Sequence, residues 1–451
     1  MTDAQGRVVI VHGVDVVARA APWSPGAAGF GEDDARLLVR AGFTAVRLGV
    51  VPAAVMPRPD VVDARYLARI AATVRLLGRH GILTLVVLHQ DQWSPRFLGS
   101  GLPGWMTRDD GLPAAPRART PRGYLTSPGL DRAFQSFWAN RPASGGVGLL
   151  NRWTQIAGAV ARALARERTL VGYDLMNAPW PGPRWRQCIA DGCPGFQRGA
   201  LARLWRRTVA QVRSVDGDAI TWIEPPALAP AAAPLLLPAT GDRRRSGLAF
   251  QADCEVAALV APASADRSCG AVQAQALDRA LAWSAEAGRP ALVTGAAATV
   301  RGATLAGLRR IADARMLSWL RWPYANVPAG PGDPPAIVGD PSRPLTGENV
   351  DEDRLRALDA PHPRVVAGTP SGWSTDETTG VFTATWSTTL PDGRPAGEDS
   401  VSEVWLGRRR YPDGFRLTVT GARVVTRAAD RVVVRATPGA AQVTVVAAPA
   451  G

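Results

Sequence analysis

Residues 170–180 read LVGYDLMNAPW, a short apolar run that closes on Asn177, Ala178 and Pro179. The run is strand-sized, and the proline that follows cannot continue a ladder of backbone hydrogen bonds. A helix-sized stretch, 149–167, precedes it and another, 199–215, follows it. The same alternation recurs in both directions along the chain. Strand-sized runs occur at 8–14, 45–49, 83–89, 219–224, 248–251, 291–294 and 317–322, with helical stretches such as 33–40, ending before Gly42, and 66–80, ending before Gly81. Eight strand-then-helix units predict an α/β fold, a (β/α)8 TIM barrel, whose working face is built at the C-terminal ends of its strands.

Two irregular segments fall where that face should be. Residues 90–128 are rich in Gly, Pro, Trp and Arg, and 225–245 contain the run ALAPAAAPLLLPATGD. Long loops on such a face shape a substrate cleft. From 328 to 344 the chain is Pro- and Gly-rich, and beyond about 367 it changes to a Thr/Val-rich alternation, as in 380–389 and 415–446. The expected organisation is a barrel over 1–345, a linker over 346–366 and a small C-terminal β-sandwich over 367–451.

Composition narrows the function classes. The net charge of +13 comes entirely from arginine, since the chain has 52 basic residues and no lysine. The arginines are scattered, the densest runs being 243–245 and 408–410, so no basic stripe interleaved with stacking aromatics points to nucleic acid. Anionic glycans or lipid headgroups fit the charge better. The four cysteines form two close pairs, Cys188 with Cys193 and Cys254 with Cys269, and no histidine lies near either pair in sequence. Two loop disulfides are the natural reading, with no metal and no cofactor, and they imply an oxidising compartment, secreted or at the cell envelope. The opening MTDAQGRVVIVHGVD shows no signal-peptide pattern, and no apolar run is long enough for a transmembrane helix.

An ordered set of motifs then carries a resemblance. GRVVIVHGVDVV, AGFTAVRLGV with Arg47, LHQDQWSPRF with His89, Gln90 and Asp91, YDLMNAPW, CIADGCP, TWIEPP and WLRWPY follow one another along the chain. In that order they resemble the endoglycoceramidase-like branch of glycoside hydrolase family 5, retaining glycosidases that cleave sugars from glycolipids and pair a barrel with a C-terminal β-sandwich. The resemblance implies that Arg47 supports the nucleophile and that Glu224 is a non-catalytic family glutamate.

The departures are as ordered as the matches. The resemblance places the acid/base glutamate at Ala178 and the nucleophile at Gly295, puts asparagine where Asp15 stands, and expects a histidine and a nearby tyrosine where AFQADC offers Gln251 and Asp253. Retaining hydrolysis needs two carboxyl groups about 5 Å apart. Losing the acid/base alone forfeits a factor on the order of 100 to 10,000. Asp253 and Glu224 are candidates for a relocated acid, while Arg47, His89, Asp91, Asn177, Gln251 and Trp322 are expected to bind substrate, with Trp93 and Trp180 as further flat faces for sugar rings.

Three readings follow. The first is a catalytically degenerate glycosidase that binds a glycan or glycolipid without cleaving it. The second is a hydrolase of O-glycosyl bonds working through a relocated carboxylate. The third is an inert barrel that serves as scaffold while the sandwich binds the partner.

Overall fold

The computed structural model describes residues 1–114, 122–227, 233–238, 240, 245–252, 265–295, 302–326 and 333–450. Strands β2 (His12–Val16), β3 (Ala45–Val50), β4 (Leu83–Leu88), β5 (Leu170–Asp174), β6 (Thr221–Ile223), β7 (Ser246–Phe250), β8 (Ala291–Thr294) and β9 (Trp319–Arg321) close into a parallel barrel. β2 pairs with β9, His12 opposite Trp319, to complete it. Helices cover the outside. The helix Ala64–Arg79 starts on Asp63, whose side chain accepts the Tyr66 backbone N–H, and it buries Tyr66, Leu67, Ile70, Ala71, Val74 and Leu77. That spacing is one face of a 3.6-residue period.

Inside the barrel the period is two, and it sets the floor under the working face. Val11, Ala45, Leu85, Trp222, Ala249, Leu292 and Leu320 form a separate apolar layer, each almost fully buried. Two residues further along four of these strands stand Arg47, Glu224, Gln251 and Trp322. Pleating thus converts an apolar plug into a polar layer one step nearer the C-terminal ends.

The C-terminal domain is a sandwich of two antiparallel sheets. One has the order β1-β10-β13-β16-β15, from Val8–Val9, His362–Val366, Ser402–Trp405, Arg431–Ala436 and Ala422–Arg427. The other has the order β11-β12-β17-β14, from Thr369–Thr375, Phe382–Ser387, Gln442–Pro449 and Phe415–Thr420. Two details differ from the sequence expectation. The apolar run 8–14 is shared between two cores: β1 pairs with β10 and Ile10 lies in the sandwich core, whereas Val11 already belongs to the barrel floor. Within the expected linker 346–366, the helix Glu352–Leu358 buries Leu355 and Leu358 on the barrel core, and β10 opens the sandwich. No described helix is long and apolar enough to cross a membrane.

Candidate functional site

The floor of the barrel's C-terminal face is built around Arg47, at the middle of β3. Its Nη1 donates to Asp15 Oδ2 at 2.9 Å, Nε and Nη2 donate to Asp174 Oδ2 at 3.0 and 2.6 Å, and Nη2 also reaches Glu224 Oε1 at 2.7 Å and Asn177 Oδ1 at 3.0 Å. Arg47, Asp15, Asp174 and Glu224 are each at most 2% exposed. Burial disfavours the guanidinium charge, but Asp174, Asp15 and Glu224 outweigh it and hold Arg47 protonated. The carboxyls are pushed the other way. Burial raises Asp15 and Asp174 despite Arg47, and burial together with the neighbouring Asp174 raises Glu224 well above the usual carboxylate range. Three carboxyls on one guanidinium cannot all ionise in so dry a place, and the nearness of Asp174 to Glu224 adds to the rise of Glu224.

The turn after β5 is fastened to this floor from both sides. Ala178 N–H donates to Glu224 Oε2 at 2.8 Å, and Gln90 Nε2 donates to the carbonyls of Asn177 and Ala178, both at 2.8 Å. Asn177 Nδ2 returns a bond to the Gln90 carbonyl at 2.9 Å, and Gln251 Nε2 donates to Asn177 Oδ1 at 3.1 Å. Ala178 is held in the left-handed region, φ 45°. Gly295, just past β8, is buried with φ 64°. A Cβ there would meet Asp15 Oδ2 at 3.6 Å and the Gln251 side chain at 3.7 Å, ordinary contact distances.

The remaining expected residues divide into those that edge the site and those that do not. His89, past the end of β4, lies nearly parallel to Trp322, with ring centroids 6.1 Å apart. It is 3% exposed, and among the described residues neither ring nitrogen has a hydrogen-bond partner. Burial, with Arg47 and Arg19 nearby, lowers its pKa to about 3, so the ring is neutral. Trp322 is partly exposed, and the Arg19 guanidinium stands 5.9 Å from its ring centre. Asp91 exchanges backbone hydrogen bonds with Ser100, and its charge stands beside the Tyr124 hydroxyl. Trp93 and Trp180 are fully buried, so neither offers a free face. Trp93 packs on Phe134 and Phe137, while Trp180 lies between Tyr124 and Trp185 with its indole N–H on Asp131. Asp253 lies outside the described residues.

Cys188 and Cys193 are joined across the end of the helix Trp185–Asp191. Cys269 is also disulfide-bonded, and Cys254, its expected partner, lies outside the described residues. Asp174 is the participant that the sequence reading did not single out. A lone carboxylate inside an apolar strand run was the available signal, because burying it demands a buried cation.

Comparison with known proteins agrees with this architecture along the whole chain. The Cellulase (glycosyl hydrolase family 5) profile matches residues 2–326, and the Glycoside hydrolase family 5 C-terminal domain profile matches residues 361–446. Endoglycoceramidase I of Rhodococcus hoagii (strain 103S) is 28% identical over 459 residues, covering 99% of this chain and 86% of that relative. Endo-glycoceramidase II from Rhodococcus sp. superposes with a TM-score of 0.78 at 26% identity, covering 100% of this chain and 99% of that one. Its five-membered iminocyclitol complex gives 0.78 at 25% identity with the same coverage. With both domains matched in order and the barrel profile spanning most of its length, the chain belongs to glycoside hydrolase family 5.

Proposed function

We propose that this family 5 chain binds a glycan or glycolipid headgroup on the C-terminal face of its barrel without hydrolysing it. The observation that carries the reading is the arrangement of carboxyls. Asp15, Asp174 and Glu224 all converge on Arg47 at 2.6–2.9 Å and are nearly sealed from solvent. Retaining hydrolysis asks instead for two carboxyls facing each other about 5 Å apart across the sugar, one attacking and one moving the proton. Ala178 and Gly295, at the two positions where the resemblance expects those groups, supply neither. The binding half rests on His89 and Trp322. Two ring nitrogens without a partner among the described residues cost free energy in a buried site, and a hydroxyl of a sugar lying along Trp322 that reached one of them would relieve part of that cost. The endoglycoceramidase relatives make a glycolipid headgroup the first ligand to test. The Cys188–Cys193 disulfide supports a secreted or envelope location.

Purified protein is expected to release no product from aryl glycosides or glycosphingolipids above a no-protein control between pH 4 and 8. Calorimetry with the oligosaccharide headgroups should detect binding, and His89→Phe, which keeps the ring and removes both nitrogens, should weaken it by about 0.5–1.5 kcal/mol for each hydrogen bond lost. Binding that is unchanged in His89→Phe and Trp322→Ala would move the ligand away from the barrel and towards the scaffold reading. One observation favours a second reading. Burial and the neighbouring Asp174 push Glu224 well above the usual carboxylate range, the direction a general acid requires. Turnover in the native protein that disappears in Glu224→Gln would establish that alternative, although both Glu224 oxygens are already engaged.

A further inference from the structure

We infer that Asp15 is a positioning residue that has taken over the counter-charge of Arg47, so that a carboxylate can no longer be placed at position 295 while Asp15 is present. The inference rests on the proposed function in one respect, the assignment of position 295 to the missing nucleophile. The resemblance gives Arg47 the task of supporting a carboxylate from β8, and it gives position 15 an uncharged asparagine. Here the Nη1 end of the guanidinium is occupied by Asp15 Oδ2 at 2.9 Å. The same oxygen lies 3.6 Å from where a Cβ on Gly295 would stand. Gly295 and Asp15 therefore address one small volume beside one cation. A glycine and an aspartate fill it here where the family pattern has a glutamate and an asparagine.

Electrostatics turns this geometry into a constraint. The charged and polar groups gathered about Arg47 and position 295 are Asp15 on β2, Asp174 on β5, Glu224 after β6 and Gln251 after β7, while the charge of Arg321 on β9 also acts on Asp15. Three carboxyls already divide the charge of Arg47. A fourth, entering at 295 beside Asp15, would meet a like charge at short range in a site almost closed to water, where such pairs cannot both ionise. The first side-chain atom is not the obstacle, because a Cβ at 295 makes only ordinary contacts, and Glu and Gln are so alike in size that steric demands beyond it are common to both. The left-handed backbone at 295 does strain any side chain placed there. That strain is independent of what stands at position 15, so a comparison between backgrounds cancels it.

The test is a comparison of Gly295→Glu with its neutral isostere Gly295→Gln, each made in the native protein and in an Asp15→Asn background, by thermal unfolding at pH 5 and pH 8. The inference expects Gly295→Glu to melt below Gly295→Gln in the native background, by at least about 2 °C. The gap should be wider at pH 8, where both carboxyls would have to ionise, and it should close or reverse with Asp15→Asn. A packing role for Asp15 would move both variants equally and leave no pH dependence in the gap. An equal Glu-to-Gln gap in both backgrounds overturns the inference. So does aryl-glycoside hydrolysis by Ala178→Glu/Gly295→Glu that matches the rate of the same pair with Asp15→Asn added. Hydrolysis by the native protein would defeat the proposed function and leave the melting comparison intact, so the two failures are distinguishable.

Discussion

Arg47 is the residue on which the floor of the barrel depends. It is the cation that Asp15, Asp174 and Glu224 share within 3 Å, and all four side chains are buried. Removing one partner of such a cluster leaves uncompensated charge, at a cost of about 3–5 kcal/mol. Arg47→Met, which keeps most of the stem, is expected to lose that much stability at pH 7. The pH dependence follows from the raised carboxyls. A carboxyl whose folded pKa lies above its unfolded value contributes most below the unfolded value, about 4, and loses that contribution as pH rises through the folded value. Without Arg47 the three carboxyls rise further, so the deficit of the variant should be largest at pH 7 and shrink towards pH 4.5. Denaturant midpoints at the two pH values measure it. An equal deficit at both would assign the loss to packing of the stem.

Among the elements, β5 and the turn after it supply Asp174, Asn177 and Ala178, and β5 contains a tightly constrained glycine. The pairing of β4 with β5 runs Thr84 to Leu170 and then Leu85 to Gly172, so Val171 is the extra residue of a bulge. Gly172 has φ 122°, and a Cβ on it would come within 2.0 Å of the Ile220 carbonyl oxygen. The bulge sets the phase in which Asp174 reaches Arg47 and in which the turn at Asn177 and Ala178 meets Gln90 and Glu224. Gly172→Ala should lower stability by more than the roughly 1–3 kcal/mol of backbone strain alone, measured by urea unfolding. A near-neutral result would mean that the two strands can separate without disturbing the floor. The strands themselves were legible because each is a short apolar run, and helices that precede Gly42 and Gly81 were legible from their period and stop signal. Three things were not. Asp174 finds its partner 127 residues away, Trp93 and Trp180 are buried by loop packing that no local pattern encodes, and the run 8–14 divides between two cores only because β10 arrives from far along the chain.

At the scale of the whole molecule, the sandwich is docked against the N-terminal end of the barrel, opposite the candidate site, through a stack of buried rings. His12, the first residue of β2, stacks on His362, the first of β10, with centroids 3.7 Å apart, and on Trp319 of β9 at 4.3 Å. Asp313 lies 3.4 Å from His12 Nε2 and pairs with Arg309, which also reaches Glu377 of the sandwich. On the other side Arg364 lies 4.1 Å over Trp405, whose indole N–H donates to Asp359. Burial lowers both histidines, His362 to about 3, and burial raises both Asp313 and Asp359 to about 6. The two effects on stability oppose each other. A histidine kept neutral in the fold makes the protein less stable as pH falls below its unfolded value, about 6.5, because the unfolded chain takes up the proton. A carboxyl raised to about 6 takes up a proton in the fold between about 6 and 4, which favours the folded state over that acid range. The seam is therefore buffered, and between pH 6 and 4 its histidine and carboxyl contributions should nearly cancel. Asp313→Asn removes one of the two carboxyls from that balance. Its stability should fall with decreasing pH more steeply than that of the native protein, by about 1.4 kcal/mol per pH unit between 6 and 4, one proton's worth. Parallel pH profiles for the two proteins, from denaturant midpoints, would mean that Asp313 does not hold the compensating proton and that the docking of the sandwich is insensitive to it.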